Sequence, residues 1–246
     1  MINSTSSPIP VLEICATNIQ SAVAAQQAGA HRIELCSALD SGGLTPSAGL
    51  IRVVRGHLDI PVNVLIRPRE GNFCYNDAEL AIILDDIAVC RQAGADGIVI
   101  GALDATCRLD IPKMQAMLAA ARGMDVTFHR AFDFVPDPFE TLDVLIGLGV
   151  SRVLSSGQAA TAHDGRFLLK KMVDHAAGRI SVMPGAGLSA QNIRAVAAAT
   201  GASEFHLSAK KRGVQTGAAN QIPGLEWQYW ESDSEQIRDV LRQLAH

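Results

Sequence analysis

Short runs of β-branched and aliphatic residues alternate along this chain with longer stretches whose apolar positions recur at helical spacing. Eight runs stand out: VLEICA (11–16), RIELC (32–36), VNVLIRP (62–68), GIVIG (97–101), DVTFHRA (125–131), RVLSSG (152–157), ISVMPG (180–185) and EFHLSA (204–209). Each is followed by a helix-compatible segment. Alternating β and α elements predict parallel strands joined by right-handed crossovers. Asn76 with Glu79 three residues on reads as a capping box. Thr45-Pro46, Asp110-Ile111-Pro112 and Asp137-Pro138 place a capping side chain just before a first-turn proline. Gly29, Gly94, Gly149 and Gly201 each stand where a helix gives way to the next strand. Eight βα units in 246 residues predict a single α/β domain closed as a (β/α)8 barrel. An open doubly wound sheet would want a glycine-rich phosphate loop after its first strand, and ATNIQSA supplies none. The domain is expected over residues 10–246, preceded by a loose tail at 1–9. The last helix is expected over 233–245, and the preceding stretch from 210 is long for a loop.

Strand residues alternate between two environments, the helix layer outside and the packed interior. Leu12 and Ile14 share one face of the first strand, and Glu13 and Cys15 the other. The same sort gives Glu34 and Cys36, Asn63 and Arg67, Thr127 and His129, and His206 and Ser208 to the barrel interior. Cys15, Cys36, Arg67, His129 and Ser208 fall nearest the C-terminal strand ends, where barrels of this kind carry their sites. His129 is expected to point into that mouth, within hydrogen-bond or ion-pair reach of Glu34, Arg67 or His206. Arg130 has the opposite parity and is expected to bend away or to pair locally with Asp133. Buried carboxylates need partners or protons, and Arg67 and a protonated His129 are the expected partners of Glu13 and Glu34. The same residues also suit a satisfied polar network that only fixes the barrel.

Composition narrows the chemistry. With 48% hydrophobic residues and a net charge of −4, the chain has a large core and no basic stripe of the kind that binds nucleic acid. No apolar run approaches the roughly 20 residues that span a bilayer. MINSTSSPIP lacks the basic and apolar regions of a secretory leader. The expectation is a cytoplasmic protein with its five cysteines reduced.

Glu-x-Cys occurs at 13–15 and again at 34–36, on neighbouring predicted strands. Strands there lie about 4.8 Å apart, so Cys15 and Cys36 could share one soft ion such as Cu(I). Free cysteine is also among the residues most often simply buried. After the seventh strand, PGAGLSAQNI offers Gly185 and Gly187 for close backbone approach and Ser189 as a helix cap. With Lys210 after the eighth strand these form a candidate anion site. No inward lysine suggests a Schiff base. No Gly-x-Ser-x-Gly elbow or Walker loop occurs. Acid–base catalysis on a small metabolite, with or without a phosphate, remains open, with Glu13, Glu34, Arg67, His129 and His206 as the candidate groups.

The phrases EIC, RIELCS, GGLTPS, IRPREGNFCY, VTFHRAFD, LSSG, PGAGL and FHLSA, in this order, make the chain resemble the CutC copper homeostasis family from about residue 11 to 209. The resemblance implies a TIM barrel, a cytoplasmic homodimer and a link to copper handling, without an established reaction. It implies Cys15 and Cys36 as copper ligands, and Glu13, Glu34, Arg67, His129, Arg130, Asp133 and His206 as polar motif positions. After the eighth strand, KKRGVQTGAANQIPGLEW departs from the longer family segment, which often carries a Met-x-aromatic-Arg phrase.

Overall fold

A computed structural model describes residues 10–214 and 228–245. The expected tail at 1–9 lies outside these residues, as do 215–227 and 246. The strands are β1 (Val11–Ala16), β2 (Arg32–Leu35), β3 (Val62–Leu65), β4 (Gly97–Ile100), β5 (Asp125–Phe128), β6 (Arg152–Ser155), β7 (Ser181–Pro184) and β8 (Glu204–Leu207). They form one parallel sheet in the order β7-β6-β5-β4-β3-β2-β1-β8. β7 and β8 lie side by side but share no ladder, so the barrel is nearly closed with one seam. The helices are α1 (Ile19–Ala28), α2 (Ala48–His57), α3 (Asp77–Gln92), α4 (Ile111–Ala120), α5 (Pro138–Gly147), α6 (Arg166–Ala176), α7 (Ile193–Thr200) and α8 (Ser234–Leu244).

Local chemistry sets these boundaries. Asn76 and Glu79 form the full capping box of α3, and Asp110 and Asp137 cap α4 and α5 just ahead of their prolines. Gly29 and Gly201 end α1 and α7 at φ +99 and +69, the left-handed region where a side chain is strained. Two expectations need correcting. Thr45 does not cap α2; Ser47 does, and the Thr45 hydroxyl accepts the Arg67 N–H at 2.9 Å. Ser189 does not cap α7 either. That helix starts after Asn192, and the Ser189 N–H donates to the Asn192 side chain at 2.9 Å.

The stretch after β8 is not simply a loop. It holds β9 (Lys210–Val214) and β10 (Gln228–Ser232), paired antiparallel. Trp230 fastens this ribbon to the barrel. Its indole donates to Asp40 at 2.8 Å, and its carbonyl accepts from Asn18 at 3.0 Å. Lys210 and Arg212 both stack on its ring, at 4.1 and 3.9 Å.

The parity sort holds. Leu12, Ile14, Ile33, Leu35, Val62, Val64, Phe128 and Phe205 join the outer core beneath the helices. Cys15, Cys36, Leu65 and Val99 form a separate apolar cluster inside the barrel. The base of the interior is ionic. Arg32 pairs with Glu204 at 2.6 Å, and Arg152 pairs with Glu204 at 2.7 Å and Asp125 at 2.6 Å. These four residues each open their strand, so the ring sits at the N-terminal face.

Candidate functional site

At the opposite, C-terminal face the strand ends enclose a cavity of about 260 Å³. Cys15, Glu34, Cys36, Arg67, His129, His206 and Ser208 line it, joined by Leu39, Leu65, Phe73, Arg130, Leu154 and the β7 turn Ala186–Leu188. Glu13 lies beneath this lining, with no exposed surface.

Register explains the central cluster. Glu13 is opposite Arg32 on β2 and opposite His206 on β8. Its carboxylate accepts from Arg32 Nε at 2.5 Å and bonds His206 Nδ1 at 2.7 Å. Burial would raise the Glu13 carboxyl, but the His206 hydrogen bond and the Arg32 charge outweigh it and hold the group down at about 2. Burial disfavours charge on His206, yet Glu34 and Glu13 overcome it and raise the imidazole. Burial pushes Glu34 up, more than the His206 charge pulls it down. The expected partners of the two glutamates are therefore replaced. Arg67 and His129 bond neither; Arg32 and His206 hold Glu13. Arg32 has the parity of Glu34 and Cys36, so the alternation that selected those residues marks Arg32 as well.

Cys15 is opposite Glu34, and its Sγ lies 3.3 Å from that of Cys36. The contact with Cys36, burial and the nearby carboxylates raise the Cys15 thiol well above its ordinary value. Donor atoms of Cys15, Glu34 and His206 all lie within 4.8 Å of one another.

His129 lines the cavity as expected but bonds none of the three expected partners. Its Nδ1 accepts the Ala131 N–H at 3.2 Å, closing the turn Arg130–Phe134. The neutral ring therefore carries its proton on Nε2, which is buried without a partner. Burial and the Arg67 charge pull its pKa to about 3, so it is not the protonated partner anticipated. Room for the ring comes from Gly101, where a Cβ would stand 2.6 Å from its Cε1 and Nδ1. Phe73 packs on it at 4.7 Å between ring centroids. Arg130 pairs with Asp133 at 2.8 Å, as its parity suggested.

The four residues of the candidate anion site do not come together. Gly187 lines the cavity, while Lys210 is drawn away onto Trp230. Gly185 sits against the barrel wall, where a Cβ would meet Leu154 at 2.5 Å. The Ser189 N–H is spent on Asn192.

A (β/α)8 barrel with an ionic base and a cavity of thiols, imidazoles and carboxylates at its mouth defines the class of this protein. Within that class the chain belongs to the CutC family, whose model matches residues 10–211. A CutC family protein of Xylella fastidiosa is 44% identical over 95% of this chain and 88% of its own length. A human copper homeostasis protein cutC homolog is 45% identical over 81% of this chain and 73% of its own. The crystal structure of CutC from Streptococcus agalactiae superposes with a TM-score of 0.78 at 34% identity, covering 81% of this chain and 98% of that one. A phosphoribosylanthranilate isomerase from Pyrococcus furiosus, at 15% identity, 96% and 98% coverage and a TM-score of 0.58, shares the fold alone.

Proposed function

We propose that this chain serves copper homeostasis by binding Cu(I) at the barrel mouth through Cys15 and Cys36. The observation that carries this reading is the 3.3 Å contact between the two sulfurs, in the wall of an accessible cavity. Two thiols suit a soft monovalent ion better than a hard one, and the His206 imidazole nearby is a third compatible donor. Zinc would want four tetrahedral ligands. The human relative's name carries the same association with copper. The cytoplasmic, homodimeric state that the family resemblance implies belongs to this proposal. Among the described residues, no helix is long and apolar enough to cross a membrane.

The raised Cys15 thiol is protonated at neutral pH, so the ion must displace its proton. Affinity then rises with pH, by about tenfold per unit for one proton released. The test is an anaerobic Cu(I) titration against a competing chelator. Wild-type protein should take up one equivalent, and the double variant Cys15→Ser/Cys36→Ser should lose at least a hundredfold in affinity. Equal affinity in the double variant removes these sulfurs from the proposal.

A second reading, acid–base catalysis on a small metabolite, has one observation in its favour. Glu34 and His206 face the same cavity, and both hold their protons more tightly than free side chains. Its mark would be chemical conversion of a bound metabolite, lost in Glu34→Gln.

A further inference from the structure

Arg67 lies beyond β3, in the cavity wall, and is only 7% exposed. A guanidinium keeps its charge under all ordinary conditions. Its Nη1 donates to the carbonyls of Ser41 and Gly43 at 2.9 and 3.1 Å, and its Nη2 to that of Gly71 at 2.9 Å. All three acceptors are neutral. Among the described residues no carboxylate pairs with it, and its buried Nε–H has no acceptor. The other buried arginines differ. Arg32 meets Glu13 and Glu204, and Arg152 meets Glu204 and Asp125. Glu34 is on the neighbouring strand but opposite Asn63, four residues before Arg67. A buried charge without a counter-charge is costly, and the usual remedy is a paired ion.

Other groups of the same cavity are short of acceptors. His129 has its unpartnered Nε2–H, and its neutrality lets it lie beside Arg67 without repulsion. Across the mouth the β7 turn Ala186–Leu188 lines the cavity. The backbone N–H groups of Ala186, Gly187 and Leu188 meet no acceptor among the described residues, while their neighbours at Gly185 and Ser189 are bonded. Arg130, half-exposed at the rim, is already paired with Asp133. On this side the cavity thus holds donors, and at Arg67 a positive charge, that the protein itself leaves without an acceptor or counter-charge.

We propose that the cavity takes a small organic oxyanion, a carboxylate or a phosphate monoester, with its charge at Arg67 and a second oxygen-bearing group toward the Ala186–Leu188 turn. The leucines and Phe73 of the lining suit a short carbon skeleton between the two ends. The proposal deepens the acid–base reading by naming the charge of what enters, and it stands apart from the copper reading.

The test titrates the full chain calorimetrically with two anions and their neutral counterparts: malonate against malonamide, and glycerol 3-phosphate against glycerol. At least one anion should bind tenfold or more tightly than its neutral partner, and the better of the two tells carboxylate from phosphate. Arg67→Gln should weaken that binding at least tenfold. Should this variant not fold, because Arg67 also ties three backbone carbonyls, Arg67→Lys retains the charge and should keep the anion preference at several-fold lower affinity. No preference for either anion in wild-type protein overturns the proposal, as does unchanged binding in a folded Arg67→Gln or in Arg67→Lys. Anion-selective binding with no conversion of the probe by NMR upholds the proposal and counts against the acid–base reading alone.

Discussion

The imidazole of His129 stays neutral in the folded chain down to about pH 3, whereas the unfolded chain protonates it near 6.5. Between those values the unfolded state binds more protons, so the His129 contribution to stability is present above 6.5 and lost as pH falls toward 3. The slope reaches about 1.4 kcal/mol per pH unit. Glu34, whose carboxyl is raised, acts in the opposite sense in part of this range, so the informative quantity is a difference. Comparing denaturant unfolding of wild type and His129→Asn from pH 6.5 to 4.5, the wild type should lose roughly 2 kcal/mol more than the variant. Parallel stability curves would show that the ring is not held neutral. Residue identity was legible where alternation alone decides it: Cys15, Glu34, Cys36 and His206 all face inward. Partner choice was not. It depends on cross-strand register, which sets Glu13 opposite Arg32 and His206, and on a backbone N–H claiming His129 Nδ1.

At the scale of elements, β4 contributes almost no bulk to the interior. Its inward positions are Gly97, Val99 and, just past its end, Gly101, and side chains from both neighbouring strands lean across it. A Cβ on Gly97 would lie 2.4 Å from the Asn63 side chain, and one on Gly101 would lie 2.6 Å from the His129 ring. Gly101→Ala should therefore push His129 from its place, at a cost of about 1–3 kcal/mol by thermal or chemical unfolding. A variant as stable as wild type would mean the ring shifts freely. The sequence pattern marks all eight strands through their β-branched runs and a helix-compatible segment after each; the caps read from it hold at α3, α4 and α5 and fail at α2 and α7. It overran most strand ends. The run 62–68 forms a strand only over Val62–Leu65: the Ile66 N–H still bonds the Val99 carbonyl, and Arg67 then turns into the cavity wall. The ribbon β9–β10 is not legible in the pattern, since its strands are largely polar and are held to the barrel by Trp230 and by the Ser232 N–H on the Ser21 hydroxyl.

Across the whole molecule, charge is divided between two ends. The base ring of Arg32, Asp125, Arg152 and Glu204 neutralises itself, while the mouth keeps thiols, imidazoles and an unmatched arginine. Such a division separates stability from binding. Arg152→Met removes one buried partner from two carboxylates and should cost about 3 kcal/mol. Cu(I) affinity per folded molecule should stay at the wild-type level. A variant that loses both together would show that the ends are coupled through the interior. The seam between β7 and β8 sets a further property, one of time. Seven ladders hold the eight strands, and amides facing the missing eighth have no strand partner to break before they meet solvent. In deuterated water, β7 and β8 should exchange ahead of the strands opposite, which are bonded on both sides. The turn Ala186–Leu188 and Ser208, which belong to the cavity, sit at the upper end of that seam. The wall that first lets water in is thus also the wall of the site.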